Sequence, residues 1–464
     1  MTQQDDDQLR EAAPDGDDAP LGRQTVARIM TALDSGDRAA LMGELDALHA
    51  ADIADLLEQI TAHDRRRLIA LYGREFDGDI LSELDDSIRE EVIGLLTPEV
   101  LADAVRDLES DDVVDLVEDL EDRQQQAILG ALEAGDRLAV QQSLTYPEYS
   151  AGRLMQREVV MAPEHWTAGD AIDHMRGVRD LPEQFYHIVL VDPRLHPVGN
   201  VTLGRIMASR RDVPLRDLVE ETFHVIPVTE DEGDVAYVFN QYHLISAPVV
   251  DGAGRLVGVI TIDDAMAVLD EEHEEDILRL AGVGEEGGLS GPLLVTIRDR
   301  AVWLFVNLLT AILASVVIDW FADTIEQMVA LAVLMPIVAS MGGNAGTQTM
   351  TVAVRALATR DLTARNALRM VLRELTVGGA NGMLFGLLLA GVAGVWFGVP
   401  LLAAVIAAAM LFTLVAAALG GIVIPMALER FGIDPALASG PFVTTITDVV
   451  GFFAFLGLAT LVLL

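Results

Sequence analysis

The chain has no cysteine and no lysine, and both absences narrow its chemistry. Without thiols there is no disulfide, thiolate metal site or cysteine nucleophile, and the redox compartment cannot be read. Without lysine there is no G-x-x-x-x-G-K-[ST] loop, so ATP-driven pumping has no motif to rest on. No H-E-x-x-H and no nucleophile–base pair stands out, so a non-enzyme is expected. Positive charge is scarce throughout: 31 basic residues against 72 acidic ones give a net charge of −41. A surface this acidic argues against nucleic acid and anionic lipid headgroups as partners, and it suits divalent cations. Salt adaptation or a GC-rich source produces the same composition.

The charge is unevenly spread. From residue 301 onward eight acids face six arginines, which leaves about −39 on residues 1–300. The chain therefore reads as an acidic soluble half fused to a membrane half. Residues 301–318 and 327–354 carry no charge, and residues 375–428 are an uncharged stretch interrupted by Trp396-Phe397-Gly398-Val399-Pro400. A crossing takes about 20 residues, so with the last segment, beginning near Ser439, the half holds five spans. Arg298 and Arg300 precede the first span, and Arg355, Arg360, Arg365, Arg369 and Arg373 crowd one loop, whereas Asp319, Asp323 and Glu326 lie in an opposite loop. The positive-inside rule puts the soluble half in the cytoplasm and the C-terminus outside.

Asp448 is the lone charge of the last span. A carboxylate at membrane depth costs roughly 2.5–3.5 kcal/mol on insertion scales and marks a functional site by default. No arginine or histidine lies in any apolar span to pair with it, so a cation is the simplest partner. The second span reads Pro336-Ile-Val-Ala-Ser-Met-Gly342-Gly343-Asn344-Ala-Gly346-Thr-Gln348, a poor composition for a lipid-facing helix. Two readings fit: irregular backbone and amide oxygens lining a wet path, or close helix packing through small residues. Gly378, Gly379, Asn381 and Gly382 in the third span read as packing.

In the soluble half, residues 1–24 are an acidic tail without an apolar core; they are expected to be disordered and are no secretion signal. Residues 25–150 read as an all-α superhelical N domain, because residues 48–60, 96–108 and 108–120 share one helical frame. From residue 151 strands alternate with helices in two copies, 151–212 and 213–270. The second copy, with Ala247-Pro248-Val-Val-Asp251 followed by Gly-Val-Ile-Thr261 and Asp264, resembles a cystathionine-β-synthase-type (CBS) domain; the first has Arg205 where the acid would be. CBS modules work in pairs and often bind adenosine nucleotides, which implies a single ATP-type site here, with Thr261 and Asp264 on the ribose. His187, His224 and His243 read as packed histidines. Residues 271–298 form a connecting segment, a dense acidic run (Asp270-Glu-Glu-His-Glu-Glu275-Asp276) and a glycine-rich joint, 282–291. Divalent ions neutralise such runs, and so does simple solvation.

Taken together, residues 25–464 resemble the MgtE family of magnesium channels. The most specific motifs are P-x-x-x-x-x-G-G-N-x-G-x-Q in the second span and P-x-V-x-T-x-x-D-V-x-G, residues 441–451, in the last. The resemblance implies a homodimer in the bilayer, with hydrated Mg²⁺ bound by Asp448 and a path lined by Gly342, Gly343, Asn344, Gln348, Thr447 and Gly451. It also implies that cytosolic Mg²⁺ closes the channel by bridging Asp111, Asp112 and Asp115 of the N domain to Asp264, Glu275 and Asp276. Ala267 stands where the family often has Asp, and Gly440 replaces a frequent Asn. Another divalent ion (Co²⁺, Mn²⁺ or Ca²⁺) and a non-conducting CBS-based sensor are the alternatives.

Overall fold

The computed structural model describes residues 21–106, 108–118, 120, 122–178, 181–182, 184–283, 293–363 and 365–464. Residues 1–20 of the expected tail and most of the glycine-rich joint, 284–292, lie outside these. The chain divides into two units, Met1–Glu272 and His273–Leu464.

The first unit begins with short helices from α1 (Arg23–Ser35) to α10 (Ala134–Ser143). They run from four to thirteen residues. In α3 (Ala50–Gln59) Ile53, Ala54, Leu56 and Leu57 are buried; in α8 (Ser110–Glu118) Val113, Val114, Leu116 and Val117 are. The two sets share one spacing, so the repeat is a repeated apolar stripe that no single helix of this length could bury alone. Polar caps separate the helices: His49 and Asp52 form a capping box on α3, and Thr61 caps α4 (Ala62–Tyr72).

After α11 (Ala151–Leu154) come two matching α/β modules. In one, β1 (Met161–Pro163) pairs parallel with β2 (His187–Val191), and β2 antiparallel with β3 (Pro197–Thr202). The other repeats the order with β4 (Ile226–Pro227), β5 (Ser246–Val250) and β6 (Leu256–Thr261). His187 opposite Thr202 and Ser246 opposite Thr261 occupy equivalent register positions. Helices α12 (Ala168–Gly177), α13 (Leu203–Ala208) and α14 (Glu232–Tyr242) complete the pair, and α15 (Ile262–Leu280) carries the boundary between the units.

Among the described residues, the second unit contains five helices long and apolar enough to cross a membrane. They are α16 (Leu293–Asp319), α18 (Ala330–Ala358), α19 (Ala367–Phe397), α20 (Pro400–Arg430) and α21 (Pro435–Leu463), with the short α17 (Ala322–Gln327) after the first. The turn expected at 396–400 is present: Gly398 takes φ 66° at the end of α19, and Pro400 starts α20. One expectation is corrected. The glycine-rich second span is one unbroken helix of 29 residues with Pro336 inside it, not irregular backbone. Its glycines serve contact: a Cβ on Gly342 would stand 2.6 Å from Thr413 Cγ2, and one on Gly346 2.7 Å from Val443 Cγ1. Gly378 and Gly382 press α19 onto α20 in the same way.

Candidate cation sites

Asp448 sits midway along α21, half-exposed, with neither a hydrogen bond nor an ion pair among the described residues. Its neighbour Thr447 is placed differently. It is fully buried, its hydroxyl donates to the Thr444 carbonyl at 2.9 Å, and it packs against the Gly342 and Gly346 positions of α18. Gly451, one turn on, is buried against Thr413 and Val338. Gly342, Thr447 and Gly451 thus form the seam that joins α18, α20 and α21 within one chain. Gly343, Asn344 and Gln348 lie off that seam; Asn344 and Gln348 are both exposed and, four residues apart, share one face of α18. Exposed amides at membrane depth are tolerated where protein or water covers them.

Sequence reasoning missed Glu374, which lies inside α19 and accepts a hydrogen bond from Thr349 Oγ1 at 3.3 Å. The signal was its place one residue ahead of the uncharged stretch, which drew attention to what followed.

In the first unit the N-domain acids meet the second CBS module. Asp111 is buried, and burial followed by the charges of Asp264, Asp112 and Glu109 holds its carboxyl well above the usual range. Burial, and then the charges of Asp264, Glu109, Asp79 and Asp115, push Asp112 up to about 7. Glu109 is raised to about 7 by burial and then by Glu158, Asp264 and Asp263, although Gln156 Nε2 donates to it at 2.7 Å. Asp264 rises to about 6, chiefly by burial, while the Thr261 hydroxyl donating to it works in the opposite direction. Asp115 is differently placed: it pairs with Arg89 at 2.7 Å. Glu109 was legible only as part of the repeat.

A second acidic group was not singled out from the sequence. Burial, and then the charges of Glu271, Asp231, Glu272 and Glu118, push Glu232 up to about 7. These five acids come from the N domain, the second CBS module and the start of the connecting helix. Arg153 offsets Glu118 at 2.7 Å.

Neither group is a ready chelate, since among the described residues no three His, Asp or Glu side chains converge as a metal-holding set. The donors are hard carboxylate oxygens within Coulombic range of one another, the type a hydrated divalent cation accepts.

Glu275 and Asp276 fall in the second unit and face other partners. Glu275 pairs with Arg279, and Arg279 also reaches Asp434 Oδ2 at 3.0 Å. Burial and then the charge of Asp434 raise the Asp276 carboxyl, while Arg279 and His273 oppose the rise.

In the CBS pair, a cavity of about 260 Å³ lies beside Arg205, lined also by His187, Asn200, Glu220, Thr222, Tyr242 and Ser246. His187 is the packed histidine expected: Nδ1 meets Ser246 Oγ at 2.7 Å and Nε2 meets Glu220 at 3.3 Å. Asn200 Oδ1 is buried and has no hydrogen-bond partner among the described residues. Arg205 donates to the carbonyls of Leu218 and Val219. His243 caps α14 in the left-handed region, and the His224 ring packs on Tyr242 at 4.1 Å.

Residues 335–458 match the profile of the MgtE family, described as a divalent cation transporter; 48–149 match the MgtE intracellular N domain, and 151–212 and 211–271 the CBS domain. The magnesium transporter MgtE of Thermus thermophilus is 31% identical over 449 residues, 96% of this chain and 99% of that protein. That of Bacillus subtilis is 27% identical over 437 residues, 94% and 97% of the two chains. A crystal structure of the cytosolic domain of the Mg²⁺ channel MgtE in complex with ATP aligns with a TM-score of 0.49 at 26% identity, over 52% of this chain and 99% of that one.

Proposed function

This chain belongs to the MgtE family of divalent cation transporters, and on that footing we propose that it is a magnesium channel. In this reading the membrane potential drives Mg²⁺ into the cell, and cytosolic Mg²⁺ closes the path. The observation that carries it is Asp448: partly exposed in mid-span, without a partner among the described residues, in the helix that packs against α18 through Thr447 and Val443.

A second copy of the chain would place two Asp448 carboxylates across a shared path. One carboxylate per subunit touching a hydrated ion suits Mg²⁺ better than a carbonyl cage, because the ion keeps its water. The amides of Asn344 and Gln348 offer oxygens to that water shell. The cytoplasmic placement of the first unit follows from the arginines at the ends of α18 and α19.

Closure by Mg²⁺ is supported by the crowded carboxylates of the first unit. Glu109, Asp111, Asp112 and Asp264 form one group, and Glu118, Asp231, Glu232, Glu271 and Glu272 the other. Bound Mg²⁺ supplies positive charge that relieves their mutual repulsion. The acids join separate modules, so relieving the repulsion favours the compact arrangement.

An adenosine nucleotide on the CBS pair is a separate reading, favoured by the cavity at Arg205, where Asn200 Oδ1 waits for a hydrogen-bond donor such as an amine or hydroxyl. At Thr261 and Asp264 its phosphates would meet Asp111, Asp112 and Asp263. Calorimetric titration with ATP and with adenosine separates the two places.

Complementation of a magnesium-auxotrophic strain tests the main reading: the wild type restores growth and Asp448→Asn does not. Equal growth from both would remove Asp448 from the path. Competition by Co²⁺, Mn²⁺ and Ca²⁺ in a flux assay fixes the ion, and absence of any flux would favour a non-conducting sensor.

A further inference from the structure

The last turn of α15 lies against the membrane helices of its own unit. Leu280 packs on a buried cluster formed by Met350 and Val354 of α18 with Ala436 and Val443 of α21. Next to it, Arg279 pairs with Glu275 one turn back and with Asp434 Oδ2 at 3.0 Å, and all three side chains are between 22% and 30% exposed. Asp434 has a second task. Its Oδ1 accepts from the Ala436 amide at 2.7 Å and so caps the start of α21, the helix that carries Asp448. One carboxylate therefore fixes the end of the span with one oxygen and meets the guanidinium with the other.

We propose that Arg279 is a tethered cation that holds the connecting helix on the start of α21, so that part of the closed contact forms with no metal bound. The inference rests on the reading of the chain as an ion-closed channel. Glu275, Asp276, Asp434 and Arg279 together leave two net negative charges, the charge that one divalent ion neutralises. Arg279 makes the contact possible at low magnesium, and the metal completes it. Without Arg279, three carboxylates would repel one another across this contact, and only the Leu280 socket would keep it closed.

The test uses the full-length channel in inside-out patches, with Mg²⁺ on the outer side and chelator on the cytosolic side. Arg279→Gln is expected to raise this magnesium-free current by about two- to fivefold, the range a partly screened ion pair supports. Asp434→Asn keeps a capping oxygen and loses the charge, so it should do the same, and the double variant should add nothing beyond either single one. Arg279→Lys should keep the wild-type current. An unchanged magnesium-free current in Arg279→Gln, multiplying single effects, or Arg279→Lys behaving like Gln would each overturn the tether. If the wild type carries no Mg²⁺ current, or Asp448→Asn carries the same one, the channel reading has failed, whatever Arg279 does.

Discussion

In the first unit carboxylates are crowded; in the second a single one stands alone at mid-span. The crowded groups are raised toward neutrality by burial and by one another, as at Asp112, Glu109 and Glu232, each at about 7. Asp448 has no such neighbours among the described residues, and its cost is removal from water. A cation relieves both situations with different consequences. Between crowded acids from separate modules, it changes which arrangement of modules is favoured. At a lone carboxylate touching a hydrated ion, it is held weakly enough to move on. In the proposed function the same ion would be a regulator in one unit and cargo in the other because of how many carboxylates it meets.

The largest expected effect breaks the lone site. Asp448→Asn should lower magnesium uptake about tenfold or more, in line with the 1.5–3 kcal/mol a hydrogen bond to a charged group supplies; isotope or dye uptake measures it. Next is the crowded site. The double change Asp111→Asn and Asp264→Asn should raise the half-inhibitory cytosolic Mg²⁺ about tenfold, read as current against cytosolic magnesium, with Asp448 and conduction intact. The same variant should melt at higher temperature in chelator, because repulsion has been removed.

A smaller effect concerns pH. Glu109, Asp112 and Glu232 at about 7 and Asp264 at about 6 are raised above the ordinary carboxylate range. The folded state therefore binds these protons more tightly than the unfolded one. Their stabilising contribution is full below about pH 4 and is lost as pH climbs through 6 to 7. Melting of the chelated protein should fall over that window, and added Mg²⁺ should reverse the fall at the alkaline end; calorimetry follows both. Smallest is Ser439→Ala. Ser439 is fully buried in α21, and its hydroxyl has no hydrogen-bond partner among the described residues. Removing an unpaired buried hydroxyl favours the packed fold, so the melting temperature should rise slightly, as calorimetry would show.

Five spans, the two CBS copies and the helical repeat were legible because each leaves a period or a length in the sequence: an uncharged run, a strand–turn–strand pattern, a recurring apolar stripe. The glycines of α18 misled for a physical reason. A helix packed through Gly342 and Gly346 and a helix broken by glycine have the same composition, and only the positions of Thr413 and Val443 distinguish them. The acids at 111, 112 and 264 were legible as residue types. Their meeting, and the presence of Glu109 beside them, depends on contacts between modules far apart in sequence, as does the separate group of Glu232 and Glu118. Asp115 shows the converse: it stands in the same helix, yet Arg89, 26 residues away, takes it.

The claim that cargo and regulator are one ion is tested most directly in an inside-out patch. Outer Mg²⁺ is fixed while cytosolic Mg²⁺ is raised from chelated levels into the millimolar range. An inward magnesium current that declines as cytosolic magnesium rises is the expected result. A magnesium current that ignores cytosolic magnesium would separate the two roles and overturn the account.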